Sequence, residues 1–82
     1  MGKKERLRLA PVHTAEGWGY RILEQQRPLI YQVYIPAVAG HHPFSSKEDA
    51  LRVGRLVMRK LQQGQSPAVS LRELDSLGIR PD

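Results

Sequence analysis

The alternation of apolar and polar positions divides the chain into a strand-rich first half and a helical second half. Leu7 and Leu9 alternate with Arg6 and Arg8, a period of two that fits a short strand with one face on a core. After the Thr14-Ala15-Glu16-Gly17 break, Trp18, Tyr20 and Ile22 fall on one side and Gly19, Arg21 and Leu23 on the other, a second strand. Glu24-Gln25-Gln26-Arg27-Pro28 is polar and ends in proline, so it reads as a hairpin turn. The return strand puts Leu29, Tyr31, Val33 and Ile35 on one face and Ile30, Gln32 and Tyr34 on the other. Pro36, with no N–H for a ladder, ends it, and Ala37 to Pro43 follow no period.

A helix start comes next. Ser45 and Ser46 precede Lys47-Glu48-Asp49, where a serine hydroxyl can accept from free N–H groups and the acids complement the helix dipole. At 100° per residue, Ala50, Val53, Gly54, Val57 and Leu61 form one stripe flanked by Leu51 and Met58, predicting a helix over Lys47 to Gln63 that Gly64 stops. Arg52, Arg55 and Arg59 line the wet side, with Glu48 one turn before Arg52 as its expected partner. Ser70 and Glu73 have capping-box spacing, Val69 and Leu74 form a hydrophobic staple, Gly78 closes a short last helix and Ile79 anchors it. These elements predict an α+β fold: a two- or three-stranded antiparallel sheet packed by one amphipathic helix, with a short C-terminal helix. One domain is expected over residues 1–82, with 1–6 and 80–82 flexible.

Composition narrows the classes. A chain of 82 residues buries only ~60–65% of its unfolded surface, so its single core is small. The absence of cysteine excludes a disulfide framework, a thiolate zinc site and a cysteine nucleophile. No apolar run approaches the ~20 residues that cross a bilayer. Met1 to Arg6 give a charged start without the apolar segment of a signal peptide, so either the protein stays inside the cell or its signal has been removed. A net charge of +5 favours anionic partners. The cations fall into two groups: Lys3, Lys4, Arg6 and Arg8, then Lys47, Arg52, Arg55, Arg59 and Lys60.

Candidate chemistry is sparse. His41 and His42, with His13 upstream, suggest a metal, but adjacent ligands on an extended segment point apart and no carboxylate sits at a ligand-like interval. Neither a metal nor another cofactor is expected. Glu48, Asp49 and Glu73 are better used at helix starts than as paired catalytic acids, so no enzyme is expected. Gly17 and Gly19 around Trp18 allow a backbone or a ligand close to the strand, or mark a bulge. The stretch from Ile35 to Phe44 is long for so small a domain and follows no regular element. It is either a binding loop or a wrap over the sheet edge. As a binding surface it comprises Gln32, Tyr34, Ile35, Pro36, Val38, Gly40, His41 and His42, next to the sheet face that the helix leaves uncovered.

The ordered set Gly17-Trp18-Gly19-Tyr20, Ile35-Pro36-Ala37-Val38 with Gly40, Phe44, Lys47-Glu48-Asp49-Ala50, Pro67, Ser70 and Glu73-Leu74 resembles a family of small bacterial proteins known as domain of unknown function four-nine-zero-seven. The resemblance runs from about Gly17 to Ile79. It implies export from Gram-negative cells, often as lipoproteins, which would account for a start lacking its signal, and it brings no activity. His41-His42-Pro43 stand where that family tends to carry Asn or Gln with Gly, and Arg is abundant in place of Lys.

Two functions follow as expectations. The first is a non-catalytic binding or accessory module of the bacterial cell envelope, periplasmic or secreted, whose partner is a protein or small ligand. The alternative is a nucleic-acid-binding domain, similar to integrase arm-binding domains, that presents Arg21, Arg27 and the tyrosines from a basic sheet surface. In that case the protein would be cytoplasmic. Oligomeric state is left open by the sequence.

Overall fold

The computed structural model describes residues 6–79. The tails expected to be flexible therefore lie outside the described residues, except for Arg6. Strands β1 (Leu7–His13), β2 (Trp18–Glu24) and β3 (Arg27–Gln32) form one antiparallel sheet in the order β1-β2-β3. The β2–β3 turn is Gln25-Gln26, with φ of 54° and 74°. Two positive φ values in a two-residue loop match the right-handed twist of the strands, which outweighs the strain on non-glycine residues.

Register decides the faces. The rows Leu9–Ile22–Ile30 and Pro11–Tyr20–Gln32 lie on the core side, and Ala10–Arg21–Tyr31 lies on the other. β1 is longer than its Leu7–Leu9 alternation suggests and continues through Pro11 to His13, which an outer strand tolerates because its free side needs no N–H. At its end the His13 and Trp18 rings stack with centroids 4.1 Å apart.

The third strand differs from expectation. It stops at Gln32, before Val33, Tyr34 and Ile35. The chain leaves the sheet there and crosses Gly19, where a Cβ would lie 2.6 Å from Val33 Cα and would also strike Gln32 O. Gly19 thus serves a close backbone crossing. The bulge lies elsewhere, between Ile22 and Leu23. Freed from the sheet's alternation, Ile35 turns into the core, and its N–H donates to His42 O at 2.7 Å. The segment then returns to the sheet: Trp18 N–H donates to Phe44 O at 3.1 Å and Phe44 N–H to Trp18 O at 3.0 Å. The long loop is therefore a wrap pinned at both ends, and a Cβ on Gly17 would sit 2.9 Å from Pro43 Cβ.

Helix α1 (Lys47–Gln62) lies across β1 and β2. Ser46 caps it, its side chain accepting from Asp49 N–H at 3.1 Å, and Gln63 forms the C-cap ahead of Gly64 at φ 73°. Ala50, Val53, Gly54 and Val57 are buried, while Leu61 is half-buried at the stripe's end. Gly54 lets the helix close on the sheet, since a Cβ there would fall 2.5 Å from Leu9 Cδ1 and 3.2 Å from Tyr20 Cγ. Arg52 pairs with Asp49 at 3.6 Å, not with Glu48, because it leans toward the last helix and donates to Leu77 O at 3.2 Å.

Helix α2 (Leu71–Ser76) carries the complete capping box of Ser70 and Glu73, and Val69, Leu74 and Ile79 are buried in the common core. Lys60 on α1 grips it, with Nζ 2.8 Å from the Glu73 carboxylate. The Lys60 hydrogen bond, helped by the Ser70 backbone N–H, holds the Glu73 carboxyl below its ordinary 4.5. A carboxyl depressed in the folded state stabilises it above the ordinary carboxylate range. That contribution fades as pH falls through the folded value, so α2 docking weakens in acid.

Gly19→Ala should lower stability by about 2 kcal/mol, a fall of roughly 8–16 °C in melting temperature for a domain this size, measured by circular dichroism. An unchanged melting point would mean that the chain does not cross β2 at this glycine.

Candidate functional site

Between β3 and the segment that joins the two helices lies an open groove of about 390 Å³. Its walls are Ile30, Gln32 and Pro36 on the sheet side, Val57 from α1, and Ser66, Pro67, Ala68 and Val69 from the connection. Each is placed by a local rule. Ile30 and Gln32 face inward by strand alternation, Pro36 follows the exit of the chain from the sheet, and Pro67 holds the connection extended ahead of the Ser70 cap.

Tyr20 lies at the base. It is 2% exposed, with its ring tilted against Phe44 at 6.1 Å, and it also lines the groove. Burial pushes its phenol from the ordinary 10.0 up to about 12, with no hydrogen bond contributing to the shift. The phenol is the one ionisable group among the lining residues. The groove therefore suits an uncharged ligand with an apolar body and one group that hydrogen-bonds to a neutral hydroxyl.

Of the eight residues expected to form a binding surface, only Gln32 and Pro36 line this groove. The Gln32 side chain donates to Tyr34 O, which fixes the bend where the chain leaves the sheet. Ile35 is 3% exposed, so its side chain anchors the loop and is not a contact surface. Val38 packs half-buried against the core. Gly40 takes φ 86° beside the His42 ring. His41 and His42 are exposed, and His41 stacks on Tyr34 with centroids 4.7 Å apart. Tyr34 in turn donates its hydroxyl to Glu16 Oε1 at 3.1 Å, and this hydrogen bond, before the nearby charge, raises its pKa. Among the described residues no three His, Asp or Glu side chains gather where a metal could be held.

Sequence reasoning missed the second wall. Ser66-Pro67-Ala68 looks like a plain interhelical break, and no local signal shows that it faces β3. Tyr20 was legible as a core residue, but not its place beneath an opening.

A family profile described as a domain of unknown function, DUF4907, matches residues 11–76. The chain belongs to the DUF4907 family. The match runs from within β1 to the end of α2 and includes every residue of the groove. Neither the curated proteins nor the solved structures searched contain a match to the chain. In this DUF4907 chain the Gly17-Trp18-Gly19-Tyr20 stretch acquires a physical sense: Gly17 and Gly19 admit the returning loop and the exit of β3, Trp18 pairs with Phe44, and Tyr20 underlies the groove.

The shifted phenol has a measurable consequence. Tyr20 is neutral in the fold until about pH 12 but ionises near 10 when unfolded. Unfolding thus releases this proton at lower pH, and stability falls as pH rises through that window, by up to about 3 kcal/mol. Denaturant titrations between pH 9 and pH 12 (from about one unit below to about two units above the ordinary tyrosine value) should show this decline, and Tyr20→Phe should flatten it. An identical slope in the variant would mean that the phenol is not buried.

Proposed function

We propose that this DUF4907 chain is a non-catalytic binding or accessory module of the bacterial cell envelope, which holds a small uncharged ligand, or an apolar side chain of a protein, in the groove beside β3. One observation carries the reading: a largely apolar groove lined by the neutral phenol Tyr20, with Gln32 and Ser66 as its other polar side chains and no charged one. A groove of this size lies at the small end of ligand sites, where a few placed polar groups fix orientation.

The use of the carboxylates supports the non-catalytic reading. Glu73 closes a capping box and holds Lys60, Asp49 meets Arg52 and Ser45, and Glu16 accepts from Tyr34. The envelope reading is supported only by the export that the family resemblance implies. No helix among the described residues is long and apolar enough to cross a membrane.

The test is a fragment titration of the labelled protein by two-dimensional NMR, with neutral amides and phenols as probes. Binding should shift the amides of Ile30, Gln32 and Val69, and Tyr20→Phe should weaken the best probe about 3- to 10-fold, the worth of one hydrogen bond. Shifts confined to residues away from the groove, or equal affinity in the variant, would remove this site.

A further inference from the structure

The sheet face opposite α1 is crossed by the chain at Gly19 and, among the described residues, is bare from there to the hairpin end, where its composition differs from the rest of the surface. Register places Arg8, Ala10 and Val12 of β1 on it, with Arg21 and Leu23 of β2 and Tyr31 of β3. Arg6 and Arg8 share an opening with Gln25 and Gln26 at the hairpin end. Arg6, Arg8 and Arg21 are exposed, and among the described residues none of them forms an ion pair. No described Asp or Glu falls on this face: Glu24, the acid of β2, aligns with Leu7 on the opposite side. The wet side of α1 is different, for Glu48 and Asp49 stand among its cations.

The second component is apolar. Tyr31 is 63% exposed and Leu29, the extra residue of the bulge beside it, 47%. Val12, Ala10 and Leu23 remain half-exposed between the arginines. A face that mixes free cations with a projecting tyrosine and aliphatic groups matches the headgroup layer of an anionic bilayer, where phosphates take the guanidinium groups and the tyrosine and leucine enter the interface.

Nucleic acid fits less well, because single-strand binding relies on several outward aromatics on which successive bases stack. Here Tyr20 is buried, Trp18 is stacked on His13 and Tyr34 on His41, which leaves Tyr31 alone on the face.

We propose that the outward face of the sheet, through Arg6, Arg8, Arg21 and Tyr31 with Leu29 at its edge, docks reversibly on an anionic lipid surface. The proposal is independent of the groove, which opens on the other side of β3. Arg6 and Arg8 precede the segment matched by the family profile, whereas Arg21, Leu29 and Tyr31 lie within it.

The test is co-sedimentation with phosphatidylcholine vesicles that contain roughly a third phosphatidylglycerol, against phosphatidylcholine alone. The intact chain should bind the anionic vesicles and not the neutral ones, more weakly at high salt. Each arginine near a bilayer is worth about a factor of five, so Arg8→Ala/Arg21→Ala should bind about 25-fold more weakly. Arg55→Ala/Arg59→Ala, which removes the same charge from the helix side, should retain most of the affinity, and Tyr31→Ser should weaken binding without changing its salt dependence. Circular dichroism melts verify that every variant folds. Equal losses in the two arginine pairs would reduce the effect to net charge and overturn the proposal. Three other results would also overturn it: undiminished binding to neutral vesicles, tighter binding to single-stranded DNA that the Arg8/Arg21 pair abolishes, or a dimer by sedimentation velocity that the same pair disperses.

Discussion

The approach of α1 to the sheet at Gly54 is the contact on which the rest of the structure depends. Leu9 and the Tyr20 ring occupy the space where a side chain would project from that position, so the helix backbone lies directly on β1 and β2. Ala50, Val53 and Val57 meet Tyr20 and Ile22 in one core, to which Ile35, Phe44, Leu74 and Ile79 are added from the loop and the last helix. The described residues share one small core, and among them there is no second one to compensate. The same contact assigns the surfaces. It covers one face of the sheet, leaves the other open from Arg21 to the hairpin end, and sets Val57 over the rim of the groove.

Much of this was legible because local signals agreed with the tertiary structure. The Ala50–Leu61 stripe, the caps at Ser46 and Ser70, and the alternation of Trp18, Tyr20 and Ile22 each obey a period or a spacing that short-range physics imposes. The disagreements arise where a distant part of the chain prevails. Val33 to Ile35 have the composition of a strand, yet the crossing at Gly19 draws them off the sheet and reverses the side on which Ile35 is buried. Arg52 has Glu48 at helical spacing and nevertheless turns to Asp49 and the Leu77 carbonyl, since α2 docks on that flank.

The candidate site was harder to read for the same reason. A groove is made by two segments that meet only after folding, here β3 and the connection at Ser66 to Val69, and neither has a signature of its own. The histidines that attracted attention in the sequence have an ordinary setting, with His41 against Tyr34 and His42 beside Gly40. The glycines of the Gly-Trp-Gly-Tyr motif were informative about close approach, and what approaches them is the chain itself.

The architecture therefore rests on the helix lying against β1 and β2 at one glycine. The most direct measurement is a nuclear Overhauser experiment on the Gly54 α-protons. Cross-peaks to the Leu9 methyl groups and to the Tyr20 ring are expected, with none to Arg21 or Tyr31. Gly54 α-protons without contact to either Leu9 or Tyr20, or in contact with the Arg21 side of the sheet, would contradict the fold and with it both proposed surfaces.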